Sequence, residues 1–309
     1  MSTRLKKWIF GSDSSLDWVC TGYTEPEEEV TIILRGWGMP RDVTRNCVPV
    51  SLRPFTIASA VNEPTLLTPR SHKLELILHA RHTPNRLLGR IQLRVNRLLP
   101  LSSASIVCFE TVGFANYVLP PVQRHLLHLY HHWQLLRDRN PHNLKMVPSQ
   151  LMALYVLYLS PRPVVLVSYA HEDRGNIIPM DLAGPTDSPY VLLGLHRTSP
   201  AIPLLTAGHK IAISTLPVDY RATVFAMGPH HRQASIDLST VPMPLTPSSA
   251  YGLPVPEVAI TVREVEVEHV EDFGTHRLLV TRQRACENRS SGLQMCHTPW
   301  FSQNLSQPV

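Results

Sequence analysis

The sequence predicts a mainly β protein with helical additions, and three observations support this prediction. Apolar and polar residues alternate in short segments from about residue 28 to 110 and again from about residue 164 to 282, which is typical of half-buried strands. The 28 prolines are spread through the connections, as expected for many short strands joined by shaped loops. Two stretches with helical spacing separate the two groups of strands.

The first group of segments is predicted to form antiparallel strands. It consists of EVTIILRGW, SLRPFTIASAV, KLELILHARH, RIQLRV and ASIVCFE, separated by Pro, Gly and Asn, which are turn signals. We find no internal repeat in the sequence. Residues 1–148 are therefore interpreted as a β-rich N-terminal extension that ends in a helix, and the sequence indicates no function for it.

Two helices are predicted after these strands. The segment PPVQRHLLHLYHHWQLLRDR at 120–139 opens with proline, and the spacing of its apolar residues, Trp133 and Leu136 among them, predicts one packed face. A second, shorter helix is predicted from about Ser149 to Tyr158.

The strands resume with VVLVSY, YVLLGL, KIAISTL, AITVREVEVEHV and HRLLVTR. Between the first two lies NIIPMDLAGP, at 176–185, which is too apolar for an ordinary surface connection. Residues 286–309 are interpreted as a C-terminal tail, and the apolar and aromatic residues from Met295 to Phe301 are expected to dock on the protein.

Charge and hydropathy restrict the class of protein. The net charge is +5, and the first 150 residues hold 18 Lys and Arg against 11 Asp and Glu. The arginines of this half are scattered through strand-like text, which favours a solvated strand face over a nucleic-acid surface. No apolar stretch reaches the ~20 residues that span a bilayer, and no secretion signal is evident. The sequence thus predicts a cytoplasmic protein without a membrane or nucleic-acid partner.

The common catalytic and metal motifs are absent. The sequence has no G-x-S-x-G, no phosphate-binding P-loop and no G-x-G-x-x-G after a strand. The five cysteines contain no close pair and are expected to be ordinary thiols. The first helix carries His125, His128, His131 and His132, but no acidic or thiol ligand lies nearby in the sequence. A polar helix face is favoured, and no metal is assigned.

One ordered series of segments resembles a known family. PRPVVLVSY at 161–169 is followed by the turn HEDRG, then by NIIPM, GPTDSPYVLLGL and HRTSPAIPLLTAGHKIAISTLP. This order is similar to that of the flavin reductase-like family of FMN-binding split β-barrels. The resemblance continues to GLPVPEVAITVREVEVEHVEDFGTHRLLVTR and covers about residues 155–285.

The resemblance implies a fold and an assembly. It implies an antiparallel Greek-key split β-barrel, which we assign to residues 149–285, and a homodimer in which two protomers complete a pair of flavin sites. It also implies FMN as the cofactor and NADH or NADPH as the electron donor, and the sequence leaves the choice between these two donors open.

The resemblance also implies a set of site residues. The apolar segment NIIPMDLAGP would supply an apolar wall and edge amides for a flavin. The segment after the next strand would hold the phosphate by charge, hydroxyls and the amides of a helix expected at 200–207. His276 is the catalytic candidate beside the flavin or the nicotinamide. The cofactor-binding candidates are Asn176, Pro179, Met180, Asp181, Leu182, Arg197, Thr198 and Ser199.

Simpler roles are open for several of these residues. Met180 and Leu182 are equally well explained as core, Asn176 as a turn residue and His276 as a surface histidine at a strand end. Arg162, in Pro-Arg-Pro, is either a surface residue or a second phosphate contact. Asp181 departs from the polar Ser or Thr of the family, and a carboxylate beside an anionic cofactor is expected to face a turn amide or an arginine instead.

The predicted function is that of an FMN-binding oxidoreductase, an NAD(P)H-dependent flavin reductase that moves a hydride from a nicotinamide to the flavin. A protein that accepts the electrons is a further expected partner. The alternative is a non-catalytic flavin-binding or protein-interaction module built on the split barrel.

Overall fold

The computed structural model of the chain describes residues 18–61, 74–83, 86–137, 145–171 and 174–305. Most of this part of the chain is antiparallel β structure, as predicted. Two seven-stranded sheets dominate it, one in each half of the chain, and we call them the N-terminal sheet and the C-terminal sheet.

The N-terminal sheet has the spatial order β3-β2-β6-β7-β8-β5-β4. All its neighbouring strands are antiparallel. Its strands are β2 (Val30–Arg35), β3 (Arg41–Asp42), β4 (Val48–Leu52), β5 (Phe55–Val61), β6 (Leu74–Ala80), β7 (Leu87–Pro100) and β8 (Ser105–Asn116).

The C-terminal sheet has the order β11-β10-β14-β17-β18-β13-β12. Its strands are also antiparallel to their neighbours. They are β10 (Val165–His171), β11 (Arg174–Met180), β12 (Ala183–Pro185), β13 (Tyr190–His196), β14 (Lys210–Thr215), β17 (Thr261–Phe273) and β18 (His276–Asn288).

The C-terminal sheet curls around a single core. All seven of its strands contribute buried apolar side chains to one cluster, among them Val167, Leu193 and Leu279. The edge strands β11 and β12 are not paired with each other in the described residues. A sheet that surrounds one core and stays open at one seam is a split barrel, and its pairs β10–β14 and β13–β18 join strands that are not consecutive in the sequence, as in a Greek key.

Two small sheets and the chain ends complete the β structure. β1 (Trp18–Tyr23), β19 (Gln294–Pro299) and β9 (Arg162–Pro163) form a three-stranded sheet, and β15 (Leu245–Pro247) pairs with β16 (Pro254–Pro256). β19 lies in the predicted C-terminal tail, where Met295 and Phe301 are buried. The prediction that this segment docks is confirmed.

Three α-helices lie in the described residues: α1 (Pro121–Arg137), α2 (Pro148–Leu157) and α3 (Arg221–Ala226). α2 is buried from Met152 to Leu157 in the core of the N-terminal sheet, so it packs on the side of that sheet. In α1 the buried residues are Leu127 and His131, while Trp133 and Leu136 are 41% and 74% exposed. The predicted packed face of α1 is therefore wrong for these two residues.

The structure places the two sheets in direct contact. A third apolar cluster combines residues of both halves, such as Val50 and Ala58 from the N-terminal sheet and Tyr190 and Leu192 from the C-terminal sheet. The backbones of β13 and β4 approach each other so closely at Gly194 that a side-chain Cβ there would lie 2.3 Å from the carbonyl oxygen of Val50. Only glycine permits such an approach of two backbones.

Candidate functional site

The predicted site residues come from three separate segments, and the structure brings these segments together. The backbone N–H of Arg197, just after β13, donates to the carbonyl oxygen of Thr275 at 3.0 Å. The rings of His196 and His276 lie 5.4 Å apart, edge to face. Asp181 lies in the β11–β12 connection, where the carbonyl oxygen of its neighbour Leu182 accepts the N–H of Gly194, near the end of β13, at 2.7 Å. The three segments therefore meet at one end of the C-terminal sheet.

His276 is the buried centre of this region. Only 4% of the residue is exposed, so it is not the surface histidine of the simpler interpretation. Its Nδ1 accepts the backbone N–H of Leu52 at 3.4 Å and lies 3.0 Å from Oγ1 of Thr275. Because a backbone N–H can only donate, Nδ1 is the unprotonated nitrogen and the proton of the neutral ring lies on Nε2.

The charge state of His276 follows from this burial. Loss of solvent and, to a smaller extent, the neighbouring His196 together lower the pKa of His276 to about 4, although the charge of Asp181 opposes the shift. The imidazole is therefore neutral at physiological pH. His276 offers a hydrogen-bond donor at Nε2 without a positive charge.

The segment Arg197–Ser199 combines a cation with hydroxyl groups. The side chain of Arg197 is 51% exposed, and its NH2 lies 3.6 Å from Oδ2 of Asp272. Thr198 Oγ1 lies 2.8 Å from Nδ1 of His196. Ser199 is buried, and its Oγ accepts the backbone N–H of Ala201 at 3.4 Å.

The helix expected at 200–207 is much shorter than predicted. A single 3-10 turn covers Ile202–Leu204, because Pro200 and Pro203 lie in the segment and neither has a backbone N–H to give. Helix amides therefore add little to any anion site here, and Arg197 and Thr198 remain as its groups.

Asp181 is held by groups that the sequence did not suggest. Its Oδ2 lies 2.8 Å from Nδ1 of His297, and the buried Tyr158 also lowers the pKa of its carboxyl. Burial raises the pKa of Asp181, but the hydrogen bonds from His297 and Tyr158 and the charge of His297 outweigh burial, so the pKa is held below its usual value. A backbone amide also lowers the pKa of Asp181, in line with the expected turn amide, and the charged partner is a histidine in place of the expected arginine.

Asn176 and Pro179 fasten the β10–β11 hairpin to the chain at 228–233. Nδ2 of Asn176 donates to the carbonyl oxygens of His230 and Gln233, at 3.0 and 2.9 Å, and its Oδ1 accepts the N–H of Ile177. Nε2 of His231 lies within hydrogen-bonding distance of the carbonyl oxygen of Pro179. The side chain of Asn176 is thus engaged in holding this loop.

Met180 and Leu182 are both buried. Met180 belongs to the core of the C-terminal sheet, and the carbonyl oxygen of Leu182 accepts the N–H of Gly194 at 2.7 Å. The apolar character of the β11–β12 connection is therefore explained, at least at Met180, by the protein core. The role of these two residues toward a ligand stays a prediction.

Sequence reasoning missed the contribution of the N-terminal half. The turn between β4 and β5 reaches the site, where Leu52 bonds His276 and the carbonyl oxygen of Arg53 accepts the N–H of Thr275 at 2.8 Å. Ser51 Oγ donates to the carbonyl oxygen of Phe273 at 3.0 Å. Nothing in the local sequence marks this turn, because its importance depends on a neighbour more than 200 residues away.

Arg162 was expected either at the surface or at a phosphate. The residue is buried, and its NH1 donates to the carbonyl oxygen of Cys47 at 2.7 Å. The surface interpretation is wrong. Its Nε and NH2 are buried without a hydrogen-bond partner in the described chain.

Two further findings concern the described residues as a whole. No group of three His, Cys, Asp or Glu side chains in this part of the chain is arranged to hold a metal ion. None of the helices that the structure describes is long and apolar enough to span a bilayer.

Comparisons with known proteins give partial matches to solved structures. A Thermus thermophilus FMN-binding protein with bound 1-cyclohex-2-enone is 24% identical, with a TM-score of 0.37 over 42% of this chain and 71% of that chain. A Streptomyces globisporus NADH:FAD oxidoreductase is 14% identical, with a TM-score of 0.42 over 51% of this chain and 94% of that chain. The styrene monooxygenase flavin reductase of Pseudomonas putida S12 is 21% identical, with a TM-score of 0.37 over 44% of this chain and 87% of that chain.

No protein-family model and no curated protein sequence matches the chain. All three identities are under 25% and all three TM-scores are under 0.5, so these likenesses transfer no function to this chain.

Proposed function

We propose that this chain is an FMN-binding oxidoreductase of the flavin reductase type, with NADH or NADPH as the electron donor. The observation that carries the proposal is the convergence of Asp181, Arg197 and His276. The resemblance predicts these residues for one site although 95 positions separate the first from the last. Arg197 bonds Thr275, the residue before His276, and Leu182, the residue after Asp181, bonds Gly194 near the same end of β13.

The phosphate of FMN fits the segment Arg197–Ser199. Half of the Arg197 side chain is exposed, and its ion pair with Asp272 at 3.6 Å is also exposed. Such a pair contributes little and is easily exchanged for another anion. A guanidinium next to a hydroxyl is a frequent arrangement around phosphate, since charge-assisted hydrogen bonds to it are strong.

The neutral His276 fits the polar edge of a flavin. A charged imidazolium there would be costly, because the residue is buried, whereas a neutral ring donates a hydrogen bond from Nε2 at little cost. The backbone N–H of Leu52 holds the ring in this tautomer. His276 is proposed to orient the bound ring system and to exclude water from it.

The chemistry requires little acid–base work from the protein. When bound, FMN would supply the reactivity as the acceptor of a hydride from NADH or NADPH, and the residues of this chain would fix its distance and orientation. This division of labour agrees with a site that contains a neutral histidine and a carboxylate already engaged by His297 and Tyr158. The protein electron acceptor and the cytoplasmic location stay predictions.

Binding of FMN and of riboflavin to the Arg197→Ala variant tests the phosphate assignment. Riboflavin has the same ring system without the phosphate, so the variant should bind FMN roughly tenfold more weakly, the equivalent of about 1.4 kcal/mol, and riboflavin unchanged. Arg284→Ala is the matched control, because Arg284 is also an exposed arginine in an ion pair, with Glu266 at 3.0 Å. Equal losses for both ligands would remove Arg197 from the phosphate site.

Oxidation of NADH and NADPH by the wild-type protein with FMN tests the enzymatic part. Turnover that falls in a His276→Ala variant while FMN is still bound is the expected result. Saturable FMN binding without oxidation of either nucleotide would instead favour the non-catalytic flavin-binding module.

A further inference from the structure

The N-terminal sheet repeats the topology of the C-terminal sheet. In chain order, the seven strands of the first sheet are β2 to β8, and those of the second are β10 to β14, β17 and β18. When each strand is replaced by the strand of the same rank, the spatial order β3-β2-β6-β7-β8-β5-β4 becomes β11-β10-β14-β17-β18-β13-β12. The two sheets therefore have the same connectivity, including the same non-consecutive neighbours.

The two sheets contact each other largely through strands of equal rank, although Val48 and Val50 of β4 have no counterpart from β12 in the shared cluster. The shared apolar cluster takes Ala58 and Ala60 from β5, Leu99 from the end of β7, and Ile106 and Cys108 from β8. Its members from the other sheet lie on the strands of equal rank: Tyr190 and Leu192 on β13, Phe273 at the end of β17, and Leu278 and Val280 on β18. A contact in which both partners use the same patch is the isologous contact of a twofold dimer.

The polar contacts at the two ends of this interface are reciprocal. The β4–β5 turn contacts the β17–β18 hairpin, where Arg53 accepts the N–H of Thr275. The β7–β8 hairpin contacts the start of β13 in the same way, since Ser103 Oγ donates to the hydroxyl oxygen of Tyr190 at 3.1 Å. A twofold relation predicts such a pair of contacts, one at each end.

The two sides differ in the size of their side chains. The N-terminal side has small residues such as Ala58, Ala60 and Ala104, whereas the C-terminal side has Tyr190 and Phe273 together with three further aliphatic residues. Two C-terminal sheets facing each other would bring large side chains against large side chains, and such overpacking is destabilising. The interface fits one N-terminal and one C-terminal sheet better than two copies of either.

We infer that the chain is a fused dimer, two units of the same strand order in one polypeptide, in which the N-terminal sheet takes the place of a second subunit and completes a single site of the C-terminal split barrel. Only the claim that this site binds a flavin rests on the proposed function. In a dimer of two chains, the partner subunit would cover one side of this site. Here the β4–β5 turn covers it, because the N–H of Leu52 donates to His276 and the hydroxyl of Ser51 donates to the carbonyl oxygen of Phe273. The predicted homodimer is replaced by a contact inside the chain.

The twofold relation pairs the candidate site with an equivalent place in the N-terminal sheet, and that place lacks the cation that Arg197 provides. Directly after β5 the sequence has Asn62, and the first cation, Arg70, comes eight residues later, whereas Arg197 directly follows β13. The corresponding end of the interface is filled by a side-chain network, in which NH2 of Arg282 donates to Ser102 Oγ at 2.7 Å and to the Tyr190 hydroxyl at 3.0 Å. The fused dimer therefore has one site per chain.

An engineered disulfide tests whether the interface lies within one chain. A Cβ at Gly184 would lie 3.9 Å from the Cβ of Val48, within the range of about 3.5–4.5 Å found in disulfides. The double variant Val48→Cys/Gly184→Cys is unfolded, refolded in a glutathione redox buffer and run on a non-reducing gel beside each single variant. We expect a cross-link within one chain, with loss of two thiols relative to the reduced protein.

Two results would overturn the fused dimer. A disulfide-linked pair of chains would place Val48 and Gly184 on different molecules. Absence of any cross-link after refolding would show that the two residues are not neighbours. Analytical ultracentrifugation of the wild type gives its mass in solution independently. We expect a monomer of 34.8 kDa, and a stable dimer would contradict the inference that a contact inside the chain replaces the homodimer.

The number of FMN molecules bound per chain, measured by titration, tests the single site. One per chain is expected, and two would overturn the claim that the second position is lost. If no FMN binds, the flavin assignment fails, but the cross-link and the mass still decide whether the chain is a fused dimer.

Discussion

The burial of His276 predicts a pH dependence of stability that one substitution should remove. In the unfolded chain the pKa of a histidine is near its ordinary value of 6.5, whereas in the folded protein burial lowers the pKa of His276 to about 4. Between these values the unfolded state binds more protons than the folded state. Stability is therefore complete above pH 6.5 and falls as the pH is lowered toward 4.

The size of the effect follows from the two pKa values. At pH 5 nearly all unfolded molecules carry the proton on this ring, but only about one folded molecule in ten does. Relative to pH 7, the free energy of unfolding should fall by about 2 kcal/mol through His276 alone. Other titrating groups add their own contributions, so a variant is needed to isolate this one.

His276→Gln is the suitable variant, because the glutamine oxygen can still accept the N–H of Leu52 and no proton can be taken up. Urea unfolding of both proteins at pH 7 and pH 5 gives the four free energies. We expect the wild type to lose about 2 kcal/mol more than the variant between the two pH values. His132→Gln, in which the lost ring is exposed, controls for removal of any histidine. The same loss in wild type and His276→Gln would refute the buried neutral imidazole.

Two further predictions concern the interface and a buried carboxylate. Gly194→Ala should lower stability by about 2–3 kcal/mol, because the new Cβ would lie 2.3 Å from the carbonyl oxygen of Val50, while Gly228→Ala, with no atom within 4 Å of the new Cβ, should change it little. Thermal unfolding of the two variants compares them, and equal melting temperatures would contradict the close approach. Glu264→Gln should cost about 2–4 kcal/mol, since the buried carboxylate accepts two backbone N–H groups and two serine hydroxyls. Urea unfolding measures this loss, and a Glu266→Gln variant that proved equally destabilised would argue against any special role of Glu264.

Most strands of the two sheets could be predicted from the sequence, because each has one face toward a core and one toward solvent or the other sheet. The alternation in AITVREVEVEHV, for example, becomes β17, with Val265 and Val267 inside the barrel. The proximity of the segments around Arg197 and His276 could be predicted, because their order resembled a known family, whereas their role in a flavin site stays a prediction. Strand alternation and the order of segments are properties of the local sequence, so both could be recognised without knowing the fold.

Features that depend on a distant partner could not be predicted. Trp133 and Leu136 have the spacing of a packed face, but no element covers them in the described structure, where both are exposed. Asp181 required His297, from a segment interpreted as a tail. The pattern of a segment records that a face is apolar or that a charge is present, and it does not record which part of the chain lies opposite.

The duplication of the strand order is not visible as a repeat in the sequence, and the reason is physical. A strand of a half-buried sheet requires only alternation, so two copies of the same topology can keep their fold while nearly every residue changes. Fusion then removes the need for self-complementarity, since each half meets only the other half and never a copy of itself. One side could become small, as at Ala58 and Ala60, while the other became large, as at Tyr190 and Phe273. The same freedom allowed Arg197 to stand directly after β13 while Asn62 stands directly after β5. Divergence of this kind erases the repeat from the sequence and preserves it in the strand order.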